Sequence, residues 1–337
     1  MTQPTQPTRE RSRPSDGSPR TTIVVWRPSG TTETTDLDRL ASLAADPEVR
    51  LWIDAVLPEA ETVRSIAEAL GLHHLIAEDI GERNQRAKIE TFGETVHIVL
   101  FGLTYSGGVE TSEIDFVLGS RAVLTVHGPE WDANSAAPLR VGVDEILARG
   151  TDYLLYALAD AVVDGYFPVL DQLADEIDDL QDQVMASATE WTLQRLFVIK
   201  RELLEIRRAT SPAREIFNQL TNREVGPIAE EHVVYFRDVY DHLIRVTDEL
   251  DNYRELVSGT LDIYLTIVNN NLSAIMKRLT GVTVILAGIG AIAGIFGMSE
   301  AGSAFAGSEA GGFWLVTGGV TAAAVGAAVF LRRIDWI

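Results

Sequence analysis

Two stretches near the end of the chain carry no charge: Leu279 to Ser299 over 21 positions, and Ala310 to Leu331 over 22. About 20 apolar residues in a helix cover the ~30 Å hydrocarbon core of a bilayer. Both stretches are rich in Gly and Ala, as packed membrane helices are. Upstream, Val239, Leu243, Val246, Leu250, Tyr253 and Val257 alternate at spacings of four and three, a heptad seam, while Asp241, His242, Arg245, Asp248, Glu249, Asp251 and Arg254 take the other faces. No proline follows Pro227. Helical order from about Glu231 to Met298 then makes one rod of roughly 68 residues and about 100 Å. Gly259 and Gly281 are the places where it could bend, at about 1 kcal/mol each relative to Ala. Such a seam is compatible with an intramolecular helix pair; its running straight into a membrane span points instead to several copies bundled around one axis. Nearer the start, β-branched apolar runs predict strands over Thr21 to Trp26, Val49 to Val56, Thr95 to Tyr105 and Glu113 to His127. Pro58 to Leu70 and Val141 to Leu180 read as helices, and Gly107-Gly108 as a hairpin turn.

Charge orients this pattern. Lys277 and Arg278 precede the first uncharged stretch, Arg332 and Arg333 follow the second, and the loop from Glu300 to Glu309 carries only acidic charge. The positive-inside rule places both termini in the cytoplasm and the loop outside. The formal net charge is −21; from Lys277 onward four basic residues meet three acidic ones, which leaves −22 on residues 1–276. Such a balance reads either as plain solubility or as a soluble domain that gathers cations by its field. A nucleic-acid partner is disfavoured, because phosphate binding needs a basic face. The acidic run from Asp171 to Asp182 sits on helical ground and reads as a solvated face, with cation gathering as the alternative. The chain has no cysteine, so a disulfide framework, a thiolate metal site and a cysteine nucleophile are excluded. Residues 1–20 read as a disordered tail without the apolar core of a secretory signal.

Enzymatic chemistry finds little support. His73 and His74 are adjacent, while His97, His127, His232 and His242 lack metal-ligand spacing, and no Gly-Lys-Ser/Thr phosphate loop is present. The approach to the membrane is amide-rich at Asn269, Asn270 and Asn271. Below it Met276, Thr280, Thr283, Ala287, Gly290 and Gly294 recur by threes and fours. A small, weakly polar stripe suits a water-filled pore, where hydroxyls and carbonyls meet a hydrated ion; close helix packing uses the same residues.

At Gly294-Ile295-Phe296-Gly297-Met298-Ser299 the chain resembles the signature that closes the first membrane helix of the CorA family of magnesium and cobalt transporters, with Ser299 where the family has Asn. The similarity extends over nearly the whole chain after residue 50. It runs through Asp152-Tyr153-Leu154-Leu155-Tyr156, Asp160-Ala161-Val162-Val163-Asp164, Tyr235-Phe236-Arg237-Asp238-Val239-Tyr240-Asp241-His242 and Met276-Lys277-Arg278-Leu279-Thr280. The resemblance implies an α+β membrane protein assembled as a homopentameric funnel. Each subunit would have an N-terminal cytoplasmic α/β/α domain (21–230), a stalk helix (231–278) continuing into a pore-lining first span (279–299), an external loop (300–310), a peripheral second span (311–331) and a cytoplasmic end (332–337). It implies a selectivity ring at Gly297, Met298 and Ser299, and a pore lined by Ser273, Met276, Leu279, Thr280, Thr283, Ala287 and Gly290, with Met276 and Leu279 as the apolar constriction. It also maps inter-subunit regulatory cation sites onto Asp79 and Asp238, with Glu78 and Asp160 nearby. The expected cation, transported and regulatory, is Mg²⁺ or a related divalent ion, and the expected place is the cell (inner) membrane. Departures at Ser299, Gly288 (commonly Pro) and the loop from Ala301 to Gly307 bear on selectivity more than on fold. The alternatives are a transporter of other selectivity, such as Zn²⁺, and a non-conducting scaffold or regulator.

Overall fold

The computed structural model describes residues 18–83, 85–133, 142–222, 225–297 and 309–333. Its contacts divide the chain into two compact units, residues up to 180 with 194–258, and 181–193 with those from 259 onward. In the first, the β-branched runs form a seven-stranded mixed sheet. The strands are β1 (Arg20–Arg27), β2 (Gly30–Thr34), β3 (Arg50–Val56), β4 (Lys88–Phe92), β5 (Thr95–Tyr105), β6 (Val109–Leu118) and β7 (Ala122–His127). Their order is β2-β1-β3-β7-β6-β5-β4, and only β3 and β7 run parallel. Helices α1 (Leu40–Ala45), α2 (Ala60–Leu70) and α3 (His74–Glu82) cover one face, where Leu40, Val63, Ile66, Ile76 and Ile80 share a core with Ile23, Leu51, Ile53 and Val117. On the other side lie α4 (Val143–Arg149), α5 (Thr151–Asp164), α6 (Tyr166–Ala186) and α7 (Glu190–Asn222), with α5 against β5, β6 and β7. Tyr166 donates its hydroxyl to the Phe101 carbonyl at 2.7 Å.

Two predicted elements are divided in the structure. The single strand read over Glu113 to His127 is a hairpin, because Gly119-Ser120 turns the chain and Gly119 N–H donates to the Ala122 carbonyl at 2.8 Å. The single helix read over Val141 to Leu180 is three. Gly150, at φ 156°, separates α4 from α5, and a Cβ there would strike the Asp152 carboxyl. The expected turn at Gly107 is present, with φ 83°. Along α6 the acidic side chains Asp171, Asp175, Asp178, Asp179 and Asp182 are all exposed, so this run is a solvated face.

Helix α8 runs unbroken from Val233 to Gly297, 65 residues. Its start is pinned by Asp152, whose Oδ2 accepts from Ala229 N–H at 2.9 Å and lies 2.7 Å from His232 Nδ1. The reading of the heptad seam as a joint between copies is corrected. Val239, Leu243, Val246, Leu250 and Val257 are buried by the chain's own helices. Phe236 meets Phe217 of α7 and Tyr156 of α5, His242 meets Phe167 of α6, and Asp251 pairs with Arg207 of α7. Farther along, apolar residues stand exposed in succession, as at Leu265, Val268, Leu272 and Ile275. A last helix, α9, spans Glu309–Arg333. Among the described residues two helical stretches are long and apolar enough to cross a membrane. Thr151–Ala186 is 56% buried over its apolar window, as a core element is, whereas the apolar window of Glu230–Ile295 is only 6% buried, an exposed apolar surface of the kind that meets lipid or a partner.

Candidate cation sites and the stripe along the long helix

The turn periodicity of α5 and α8 stacks an acidic pair and a carboxylate–imidazole pair on facing helices. Asp160 and Asp164 lie one turn apart on α5, and Asp238 and His242 one turn apart on α8. His242 Nδ1 stands 3.4 Å from Asp164 Oδ1 and 3.9 Å from Asp160 Oδ1, and the three residues offer ligand atoms within 4.8 Å of one another. Burial pushes the Asp160 carboxyl up to about 6, and the negative charges of Asp164 and Asp238 add to it, against the opposing pull of His242. Asp160 Oδ1 is buried with no hydrogen-bond partner among the described residues. A divalent cation relieves this strain directly, because it supplies the opposite charge that the carboxylates lack. Of these four, the sequence singled out Asp160 and Asp238. Those two come from the family resemblance; Asp164 and His242 lie outside what it maps, although the two i, i+4 pairs that hold them are themselves a readable signal.

The other predicted carboxylates lie on α3. Glu78 is exposed and lines a groove of about 690 Å³ between α2 and α3, together with Arg64, Glu68 and His74. Asp79, half-buried, is held by Lys88, whose Nζ donates to Asp79 Oδ2 at 2.5 Å and lies 2.7 Å from Glu90 Oε2. Burial lowers the Lys88 ammonium, but its hydrogen bonds to Asp79 and Glu90 outweigh this and hold it above the ordinary lysine value. Asp79 and Asp238 make no contact within the single chain among the described residues; Asp238 is exposed.

Along α8, Ser273, Met276, Leu279, Thr280, Thr283, Ala287 and Gly290 are all exposed. At about 100° per residue they fall within an arc of about 120°. Gly281 is buried and Ile285, Ile289 and Ile292 are half-covered, a stripe centred about 180° away by the same spacing. On α9 the covered positions are Val320, Ala324, Ala327, Ala328 and Leu331, again spaced by threes and fours. Thr283 donates its hydroxyl to the Leu279 carbonyl at 2.8 Å, so what its oxygen presents outward is acceptor capacity alone. Gly297 closes α8, while Met298 and Ser299 lie outside the described residues.

Comparison with known proteins agrees with this architecture. The family model for CorA-like Mg²⁺ transporter proteins matches residues 48–333. The cobalt/magnesium transport protein CorA of Thermotoga maritima is 36% identical over 274 residues, which cover 79% of this chain and 78% of that protein. The divalent cation transporter CmaX of Pseudomonas aeruginosa is 23% identical over 315 residues, covering 89% and 91%. Among solved structures, the complete CorA magnesium transporter of Methanocaldococcus jannaschii superposes with a TM-score of 0.79 at 21% identity, over 94% of this chain and 98% of that one, a likeness of fold.

Proposed function

The chain belongs to the CorA family of metal-ion transporters, and from that membership we propose that it forms a homopentameric divalent-cation channel in the cell (inner) membrane, importing Mg²⁺, with Co²⁺ and Ni²⁺ as further substrates. The carrying observation is the stripe from Ser273 to Gly290. Its members are all exposed, opposite the one stripe that the chain covers itself, and apart from Met276 and Leu279 it offers small side chains and hydroxyl acceptors without a single carboxylate. A strongly hydrated ion such as Mg²⁺ sheds water reluctantly. Neutral oxygens pass it along, whereas a ring of carboxylates would hold it. Within this stripe Met276 and Leu279 form an apolar ring, which dewets when the helices close together. Inward flow needs no nucleotide, since an inside-negative potential favours divalent influx by roughly 4–5 kcal/mol per 100 mV.

Closure rests on the acidic sites. Asp238, exposed on α8, faces a second copy, and carboxylates from adjacent subunits repel when bare and are bridged by a cation. A cytoplasmic divalent ion therefore favours the closed arrangement by its tighter binding to that state. The test is uptake into proteoliposomes with Mg²⁺, Co²⁺, Ni²⁺ and Zn²⁺ in competition. Saturable influx with Mg²⁺ as a competitor supports the reading; well-folded pentamers without flux of any of these ions overturn it. One departure favours a second reading, a non-conducting scaffold: Ser299 offers a shorter side chain than the family's Asn. Flux that appears only after Ser299→Asn would select that reading.

A further inference from the structure

The sheet face beneath α3 holds more polar groups than its ion pairs use. Pairing sets Glu90 opposite His97, Lys88 opposite Val99, and Val99 opposite Asp115, which aligns Lys88, Glu90, His97 and Asp115 on one face. His97 and Asp115 are fully buried, with His97 Nε2 2.8 Å from Asp115 Oδ1. Three buried atoms here have no hydrogen-bond partner among the described residues: His97 Nδ1, Asp115 Oδ2 and Glu113 Oε1. Buried polar groups left so are uncommon, and each calls for an unseen partner. Asp79, Glu90 and His97 offer ligand atoms within 4.8 Å of one another. Four carboxyl groups (Asp79, Glu90, Glu113, Asp115) crowd this face against the cations Lys88 and Arg83, the latter donating to the Glu113 carbonyl at 3.2 Å.

We propose that Asp79, Glu90 and His97 form a within-chain site for a divalent cation of the Co²⁺, Ni²⁺ or Zn²⁺ class, and that Lys88 is the tethered cation that holds the site when the metal is absent. Donor chemistry sets the class: an imidazole nitrogen with two carboxylates suits these borderline ions, whereas Mg²⁺ takes oxygen ligands. Ligands of one tetrahedral ion stand about 3.4 Å apart, so the three groups close by no more than about 1.5 Å. Lys88 is free to yield, because its side chain is 25% exposed at the rim while His97 has no exposed surface. Its compact ammonium on a flexible stem turns into water without disturbing the strand. The site shares Asp79 with the proposed subunit-interface site but needs no second copy and no Asp238.

The test uses the full chain in detergent with Co²⁺ as the probe, reading its visible absorption and competing it with Zn²⁺ and Mg²⁺. Lys88→Met should bind Co²⁺ on the order of tenfold more tightly than the natural chain, the scale of one part-buried ion pair. Lys88→Gln guards against a fold-specific effect of Met. Adding Glu90→Gln to either variant should abolish the gain, and Zn²⁺ but not Mg²⁺ should displace the probe. The gain from Lys88→Met should persist in an Asp238→Ala background, where the interface site's own share of the spectrum is removed. Equal affinity with and without Lys88, indifference to Glu90→Gln, or displacement by Mg²⁺ overturns the proposal. Loss of that gain in the Asp238→Ala background also overturns it, assigning the ion to the interface and leaving the proposed function intact.

Discussion

Replacing Asp160 by Asn keeps the shape of the side chain and removes the charge that burial and two neighbouring carboxylates oppose. Its carboxyl is raised from 3.8 to about 6. At about 1.4 kcal/mol per unit of pKa, the ionised form costs the folded chain about 3 kcal/mol. The side chain is 14% exposed, so water screens little of this. The sign follows from proton binding. Between pH ~4 and ~6 the folded state holds a proton that the unfolded state has lost, so stability falls as pH rises through this window. The cost is absent below the unfolded value and complete above the folded one. Asp160→Asn should therefore raise the melting temperature in chelator at pH ~7.5. With about 2–4 °C per kcal/mol for a unit of this size, the gain is about 6–12 °C. At pH ~4 the two proteins should melt together. Added Mg²⁺ should narrow the gap at neutral pH, because a bound cation offsets the same repulsion in the natural chain and not in the variant. Scanning fluorimetry of the full chain in detergent, with and without chelator, reads all four conditions. No gain at neutral pH, or a gain that persists at pH ~4, would refute the electrostatic account of this cluster.

Asp152→Ala strips acceptors from the Ala229 N–H and the His232 ring, both just ahead of α8, and should destabilise the protein by about 2–4 kcal/mol in denaturant titration, with His232→Ala largely non-additive to it. Thr283→Val keeps the volume and deletes the outward oxygen; proteoliposome influx should fall several-fold while the melting temperature shifts by no more than about 2 °C. Asp238→Ala should weaken the protection that Mg²⁺ gives against limited proteolysis of the cytoplasmic region, by about the worth of one ligand carboxylate, roughly tenfold in the Mg²⁺ required. Unaltered protection counts against a sensor at this residue.

The parts legible in the sequence were those with one dominant period. The β-branched runs of β1, β3 and β5 and the uninterrupted α8 were predicted within a few residues of their ends. Elements lacking that signal were not. β2 reads Gly-Thr-Thr-Glu-Thr and β4 Lys-Ile-Glu-Thr-Phe, short edge strands too polar to carry an apolar strand signal. Helix α7 contains Pro212, a residue that argues locally against the helix its packing nevertheless sustains. The seam on α8 was visible, but which surface covers it was not, since a heptad is satisfied equally by α7 of the same chain or by another copy. The cation clusters escaped for a related reason. His97 and His242 show no ligand spacing along the chain, and only strand pairing and helix crossing bring them to Glu90 and to Asp164.

The unbroken α8 has a consequence for engineering as well as for gating. Because every residue in it advances the azimuth by about 100°, one inserted alanine near Thr266 would swing the whole stripe from Ser273 to Gly290 a quarter-turn or more away from its bearing. Seven inserted residues nearly complete two turns and leave it within about 20°. Flux lost on the single insertion and recovered on the sevenfold one would show that the angular phase of this helix, more than its length, is what transport depends on.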